Sequence, residues 1–303
     1  MPPDRKSVDA AAFGLMFTLC MLWGFQQVTV KLAAPDISLL MQAGIRSTIA
    51  TLLVLVWARW RGIPLFDRDG TLWPGLVAGA LFAGEFAFIY GGLAYTTASR
   101  MVVFVYLAPC LTALMLASFV PGERLTPQQW LGVLLAFLGV VAAFRDGPGA
   151  STPASTWRGD LCGMVAAFLW AATTLVIRAT RLGHARAEKT LFYQVGAAAL
   201  TGPVASALLG EPGIMQVTPR GVAIMFYQGA IVAFASFLAW FWLLTRYRAA
   251  QLSAFSFLTP LFGVLFGVAI LGDPITPAFL LAAALVAAGI ALVASGGARP
   301  VRR

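Results

Sequence analysis

The amino-acid sequence predicts an all-α, polytopic membrane protein with ten transmembrane helices, arranged as two inverted five-helix repeats. The first observation is composition: of 303 residues, 60% are hydrophobic and only 11% are charged, whereas soluble proteins carry about 25% charged residues. The second observation is a series of long apolar runs, and the third is an internal repeat. The bilayer must therefore be the solvent for most of the chain.

Ten apolar runs come close to the roughly 20 residues that a membrane-spanning helix needs. Their predicted limits, in chain order, are 11–33, 38–59, 73–95, 98–120, 127–145, 159–180, 189–209, 219–244, 249–271 and 276–296. A Thr hydroxyl can cap the free N–H groups of a helix, and Pro at the first helical position loses no hydrogen bond. Three Thr-Pro pairs therefore predict helix starts, at Thr126-Pro127, Thr218-Pro219 and Thr276-Pro277.

Three segments of the first half recur in the second half, in the same order and at an offset of about 150 residues. The pairs are Leu22-Trp23-Gly24 with Leu169-Trp170-Ala171, Phe104 to Pro109 with Phe255 to Pro260, and Gly122 to Pro127 with Gly272 to Pro277. Five spans per repeat would turn the second copy upside down, which is a common plan of secondary transporters. We therefore expect a first repeat at 1–145, a linker at 146–158 and an inverted second repeat at 159–303.

The basic residues predict the orientation. If the N-terminus is cytoplasmic, fifteen Lys and Arg residues lie in inside segments and five in outside segments. Cytoplasmic loops of membrane proteins carry such an excess. We therefore expect both termini in the cytoplasm of a bacterial cell and the spans in its inner membrane. The net charge of +9 then reflects topology, and no nucleic-acid partner is expected.

Two ionisable residues, Arg46 and Glu85, lie inside predicted spans. A charge at the bilayer centre costs at least about 2.5–3.5 kcal/mol, so such residues normally face a partner or a wet cavity. One interpretation is a structural salt bridge between them. The other is that one or both contact a polar substrate group, or that Glu85 takes up a proton. The repeat alignment places the uncharged Ala198 and Ser236 opposite them, and this asymmetry favours function.

Pro109 and Pro260 fall in the middle of the fourth and ninth spans, at matching positions of the repeat. Proline removes a backbone hydrogen bond and frees the carbonyl four residues earlier, here on Val105 and Ser256. Interrupted spans at matching positions of two halves point to a transporter's central site. The two prolines are therefore candidate hinges, although a kink that serves only packing remains an alternative.

Aromatic, small and polar residues share helix faces in several spans, as in the wall of a ligand cavity. Trp23 and Trp170 occupy matching places in mid-span, away from the interfacial belts where membrane tryptophans collect. Packing or lipid contact is the alternative for each such stripe. The candidate substrate-binding residues are Trp23, Gln27, Arg46, Glu85, Phe88, Tyr106, Trp170, Ser236, Trp240, Ser256 and Phe257.

Over about residues 11–296 the chain resembles the drug/metabolite transporter superfamily, in its EamA-type branch. The resemblance rests on the Leu-Trp-Gly of the first span, on the mid-span prolines, and on the turns Gly122 to Pro127 and Gly272 to Pro277. Within that branch the chain is similar to the YddG-type exporters of aromatic amino acids. The resemblance implies ten helices, a central cavity and export of small metabolites. We expect a secondary transporter that exports small amphipathic metabolites, among them aromatic amino acids, by alternating access. A multidrug or cation exporter of the same fold and a channel are the alternatives.

Enzymatic chemistry has no support in the sequence. The chain has one histidine, His184, and its three cysteines lie far apart in apolar runs, so neither a catalytic motif nor a metal or cofactor site is predicted. The expected partners are a small-molecule substrate and the lipid bilayer. The sequence does not decide between a monomer and a homo-oligomer.

The orientation leads to a labelling prediction. Single cysteines placed in 151–156 should react with a membrane-impermeant thiol reagent in sealed cells, because that segment is expected outside. Cysteines in 61–69 should react only after permeabilisation, since that loop is expected in the cytoplasm. Reaction of the 61–69 loop in sealed cells would overturn the orientation.

Overall fold

The computed structural model describes residues 9–120, 125–145, 155–247, 252 and 255–296. Within these ranges every regular element is a helix, and the extended structure is limited to one isolated antiparallel bridge between Ile37 and Ile214. The all-helical class is therefore confirmed. Most of the expected linker, at 146–154, and the turn residues Glu123 and Arg124 lie outside the described residues.

Two series of helices follow each other along the chain. The first comprises α1 (Ala10–Ala33), α2 (Leu39–Arg61), α3 (Leu72–Gly92), α4 (Ala98–Val105), α5 (Ala108–Phe119) and α6 (Pro127–Arg145). The second comprises α7 (Thr156–Ala179), α8 (Ala187–Leu208), α9 (Pro219–Phe226), a π-helical stretch (Tyr227–Ser236), α10 (Phe237–Arg246), α11 (Leu258–Leu271) and α12 (Pro277–Gly296).

Eight helical segments of the described residues are long and apolar enough to cross a membrane, if α4 with α5 and α9 with the π-helical stretch and α10 are each taken as one. Two further apolar helices are shorter, at Pro127–Ala143 and Leu258–Leu271. The chain is therefore an integral membrane protein.

The three helix starts predicted from Thr-Pro pairs are confirmed. Thr218 Oγ1 accepts a hydrogen bond of 2.9 Å from the backbone N–H of Gly221. Thr126 and Thr276 cap α6 and α12 in the same way, with distances of 3.3 and 3.0 Å to the N–H groups three residues later. A helix end in a membrane has few water molecules to bond its free N–H groups, so these caps fix where the helices begin.

The backbone is interrupted just before each of the two mid-span prolines. The α4 helix ends at Val105, and the connection to α5 uses tighter bonds, from the N–H of Leu107 to the carbonyl of Phe104 and from that of Cys110 to the carbonyl of Leu107. Pro260 likewise follows a short 3₁₀ turn at Phe255–Phe257. Proline cannot donate a hydrogen bond and its ring clashes with the preceding turn, which explains both breaks.

The first helix of the second series begins earlier than the sequence predicts. It starts at Thr156, inside the expected linker. Asp160 lies in its first turns and is held by side chains from the α3–α4 connection. Because these contacts order the chain before the apolar run begins, the helix starts three residues before the predicted limit of the span at residue 159.

Helices of the first series pack against helices of the second, and the pairings stay the same when the two series are interchanged. α6 packs on α12, α2 on α8, and α4 on α11, so that each helix contacts the helix that the predicted repeat pairs with it. α1 packs on α11 as α7 packs on α4 and α5, and α3 contacts α8 as the π-helical stretch contacts α2. Small residues allow close contact at these interfaces: a Cβ on Gly79 would come within 2.6 Å of the carbonyl oxygen of Tyr193.

One of the close approaches between the two series joins α2 and α8. A Cβ on Gly44 would lie 2.4 Å from Cδ of Pro203, inside α8. Replacing Gly by Ala in a helix interior otherwise stabilises the helix by about 1 kcal/mol. Any loss of stability on replacing Gly44 by Ala must therefore come from this contact.

We therefore expect Gly44→Ala to lower the melting temperature of the detergent-solubilised protein, since forcing the helices apart costs about 1–3 kcal/mol. Gly196→Ala, in the same pair of helices but with no atom within 4 Å of the new Cβ, is the matched control and should melt at or above the wild-type temperature. Equal melting temperatures for both variants would contradict the packing.

Candidate functional site

A charged residue from each of two neighbouring helices lies buried at the same depth. Arg46 follows the start of α2, Leu39, by seven residues, and Glu85 precedes the end of α3, Gly92, by seven. At a rise of 1.5 Å per residue, both lie about 10 Å inside the bundle from one end. Only 1% of Arg46 and 5% of Glu85 is exposed, so neither reaches the surface.

The two charges influence each other without forming an ion pair. The positive charge of Arg46 acts on Glu85. In the described part of the chain, however, no carboxylate oxygen forms an ion pair with the guanidinium. The Nε and Nη1 atoms of Arg46 have no hydrogen-bond partner there. The guanidinium lies over the ring of Phe86, with its carbon 4.1 Å from the ring centroid. The expectation of a closed salt bridge is therefore not met in this structure.

A hydrogen-bonded network of neutral polar side chains lies beside Arg46. The hydroxyl of Tyr90 donates to Oε1 of Gln228 (2.6 Å), and Nε2 of Gln228 donates to Thr29 Oγ1 (3.3 Å) and to Gln42 Oε1 (3.4 Å). Nε2 of Gln42 donates in turn to the backbone carbonyl of Ile37 (2.9 Å). The network joins α1, α2 and α3 of the first series to the π-helical stretch of the second.

Two amides on α1 complete the polar cluster. Gln26 and Gln27 are buried, and among the described residues Nε2 of Gln26 and Oε1 of Gln27 have no partner. We call Gln26, Gln27, Arg46 and Glu85 the central polar cluster. Buried polar groups are almost always hydrogen-bonded, so the unpaired donors and acceptor make this cluster a candidate for binding a polar ligand.

Aromatic side chains lie one helical turn along α1 from this cluster. Trp23 Nε1 donates to Ser236 Oγ (2.9 Å), and its ring meets that of Trp240 edge to face with centroids 6.0 Å apart. The matched Trp170 contacts Tyr106 in the same geometry at 5.5 Å. The structure therefore brings most of the aromatic candidates into pairs, but gives the two matched tryptophans different partners.

Three candidates stand apart from these pairs. Phe257 is half-buried and packs on the main apolar core. Phe88 is 41% exposed, and among the described residues it makes no ring–ring contact. Because its ring is exposed whereas Glu85 is buried, the structure does not join it to the cluster. The side chain of Ser256 lies outside the described residues.

One end of the bundle is tied together by carboxylates that cross between the two series; we call it the Asp36 end. Asp36 accepts hydrogen bonds from Thr218 Oγ1 (2.5 Å) and Gln216 Nε2 (2.8 Å). Asp160 pairs with Arg100, with a shortest contact of 2.5 Å, and both side chains are buried. Sequence reasoning treated Arg100 as an ordinary loop charge, because its partner is 60 residues away.

At the opposite end of the bundle, Lys189 forms ionic contacts between the two series; we call this end the Lys189 end. Its ammonium contacts the carboxylates of Asp67 and Asp69, the latter at 2.8 Å. Hydrogen bonds from Lys189 and Thr71 hold the pKa of Asp69 well below its usual range. Both carboxylates are substantially exposed, so water competes for this contact and it is worth less than the buried pair at the other end.

A bundle of long apolar helices with polar side chains buried between its two halves is the architecture of a membrane transporter. The family model of the EamA-like transporter family matches this chain at residues 11–145 and at 157–295. The chain therefore belongs to the EamA-like transporter family.

The chain is also similar to named transporters and to a solved structure. The chain is 27% identical to an uncharacterized transporter of Archaeoglobus fulgidus over 83% of its own length and 86% of the relative's. It is 23% identical to probable amino-acid metabolite efflux pumps of Salmonella typhimurium and Escherichia coli, over 91% of its length and 92% of theirs. A crystal structure with 21% identity superposes with a TM-score of 0.65 over 94% of this chain and 99% of that one, which shows a shared fold.

Proposed function

We propose that this protein is a secondary transporter that exports small amphipathic metabolites, chiefly amino acids including aromatic ones, across the inner membrane by alternating access. The observation that carries the proposal is the central polar cluster, whose unpaired groups lie next to a tryptophan pair. A polar site beside an apolar wall fits a molecule that has a charged head and an apolar body. The relatives named as amino-acid metabolite efflux pumps support the same substrate class.

The architecture that we propose has ten spans in two inverted repeats, at 1–145 and 159–303. The α6 and α11 helices count as the fifth and ninth spans. At about 1.5 Å per residue α11 alone is shorter than the bilayer core, and the 3₁₀ turn before it extends its length. The exchangeable helix pairs and the two separate matches of the family model support the repeat.

The two ends of the bundle supply the asymmetry that alternating access needs. In the proposed orientation the Asp36 end faces outward and is closed by buried contacts between the halves. The Lys189 end faces the cytoplasm and is held by pairs whose carboxylates are partly exposed, so these pairs separate at lower cost. The breaks before Pro109 and Pro260 are where the spans would bend as one end closes and the other opens.

Counterflow in proteoliposomes tests the proposal. Vesicles loaded with unlabelled L-phenylalanine should accumulate external labelled L-phenylalanine transiently, because a carrier exchanges substrates one for one. We expect this without an imposed pH gradient, since no relay of ionisable side chains surrounds Glu85 among the described residues. Flux that rises linearly with concentration and shows no counterflow would indicate a channel. Counterflow of organic cations alone would indicate a cation exporter. That is the second candidate function, because Glu85 is a buried carboxylate.

The aromatic residues lead to a further expectation. Replacing Trp23, Trp170, Trp240 or Phe257 by Ala should reduce transport of L-phenylalanine more than that of L-alanine. An aromatic substrate loses ring contacts worth about 0.5–1.5 kcal/mol per pair, which is up to roughly tenfold in affinity. Trp73→Ala, at a ring that is 76% exposed, is the control and should transport both alike. Normal transport by all four folded variants would assign these rings to packing.

A further inference from the structure

We infer that Arg46 is the carboxylate anchor of the transported molecule, so that the substrates are zwitterions with a free carboxylate and a neutral, largely apolar side chain. This inference rests on the proposed function and narrows it, because it excludes amines, amides and permanent cations. Arg46 then determines specificity by direct contact.

The first step concerns the guanidinium N–H groups of Arg46 that have no hydrogen-bond acceptor. Arg46 is almost completely buried, yet within the described ranges its Nε and Nη1 donate to nothing. A buried charged donor without an acceptor is costly. Phe86 supports one face of the guanidinium plane through its ring, and this contact leaves the edges, where the N–H groups point, available. A carboxylate is the acceptor that matches guanidinium most strongly.

The second step concerns charge balance. Arg46 and Glu85 share one depth of the bundle and interact electrostatically without touching. With Glu85 ionised, the two residues together carry no net charge, so a zwitterion that lies between them adds none. A cation or an anion would leave one unit of uncompensated charge in a medium that solvates charge poorly. The ammonium group of the ligand then takes the position next to Glu85.

The third step concerns the direction of the ligand's side chain. On α1, Gln26 and Gln27 follow Trp23 by three and four residues, so these residues lie on neighbouring parts of one helix face. The Trp23–Trp240 pair therefore begins one turn from the polar cluster, about 5 Å away along the helix. A ligand whose head group binds Arg46 and Glu85 extends its apolar side chain toward these two rings.

Ligand affinities of the purified, full-length protein test the inference. L-phenylalanine, L-phenylalaninamide and phenethylamine share a ring and an amino group but only the first has a carboxylate. Binding followed by tryptophan fluorescence should give a Kd for L-phenylalanine at least tenfold below the Kd of the other two. In Arg46→Gln we expect this preference to fall to about twofold or less, through loss of affinity for L-phenylalanine. Arg46→Lys, which keeps the charge, should retain part of it.

Two controls separate the anchor from a merely structural charge. Arg220→Gln removes the same charge at the Asp36 end, where Arg220 is exposed, and should keep the wild-type preference. If Arg46→Gln does not fold, the double variant with Glu85→Gln removes both charges and should fold, again with the preference lost. A structural role would change stability but not the ratio of the affinities.

Several results would overturn the inference. It fails if a folded Arg46→Gln protein retains the tenfold preference, or if the wild-type protein binds the amide or the amine as tightly as the amino acid. In both cases amino-acid counterflow by the wild-type protein would leave the proposed transport function standing. Absence of binding and of counterflow for every probe would instead reject the proposed function, and the inference with it.

Discussion

The constraint on which this structure depends is that the bilayer interior has no water with which to satisfy a polar group. Each backbone N–H and carbonyl must find a partner within the protein, and this requirement alone makes every long apolar run of the chain a helix. The same requirement explains where polar side chains lie. Asp36, Asp160 and Lys189 bond across the two halves near the ends of the bundle, so that the interior holds few charges. The central polar cluster is the exception, and for that reason it is the candidate site.

Irregular backbone surrounds the cluster, although irregular backbone is costly in a membrane. The break before Pro109 and the turn before Pro260 leave carbonyls without helical partners, and the π-helical stretch Tyr227–Ser236 widens the span that carries Gln228. π-helical turns cost stability and occur mostly at functional sites. Their position is understandable if the interface between the two halves must both bind a ligand and move.

The sequence was sufficient for those features that depend on local chemistry. The helical class, the Thr caps at Thr126, Thr218 and Thr276, the breaks before the prolines and the close packing at Gly79 all follow from single residues or short motifs. The π-helical stretch could not be predicted in this way, because a span that is apolar all round has no periodicity from which to distinguish 3.6 residues per turn from a wider helix. The Tyr90–Gln228 bond joins residues that are 138 positions apart, a separation that no local pattern reports.

The candidate site departs from the symmetry of the proposed repeat. The two halves share their helices and exchange their packing partners, yet the charged pair belongs to the first half alone: Ala198 and Ser236 occupy the matching positions of the second. Ser236 instead bonds Trp23, and Gln228 completes the network around Arg46. The second half therefore contributes neutral side chains to this site, and the first half contributes the charged ones. A symmetric site with two arginines would concentrate like charges in a poor solvent for them, so the asymmetry follows from the same constraint that shapes the rest of the bundle.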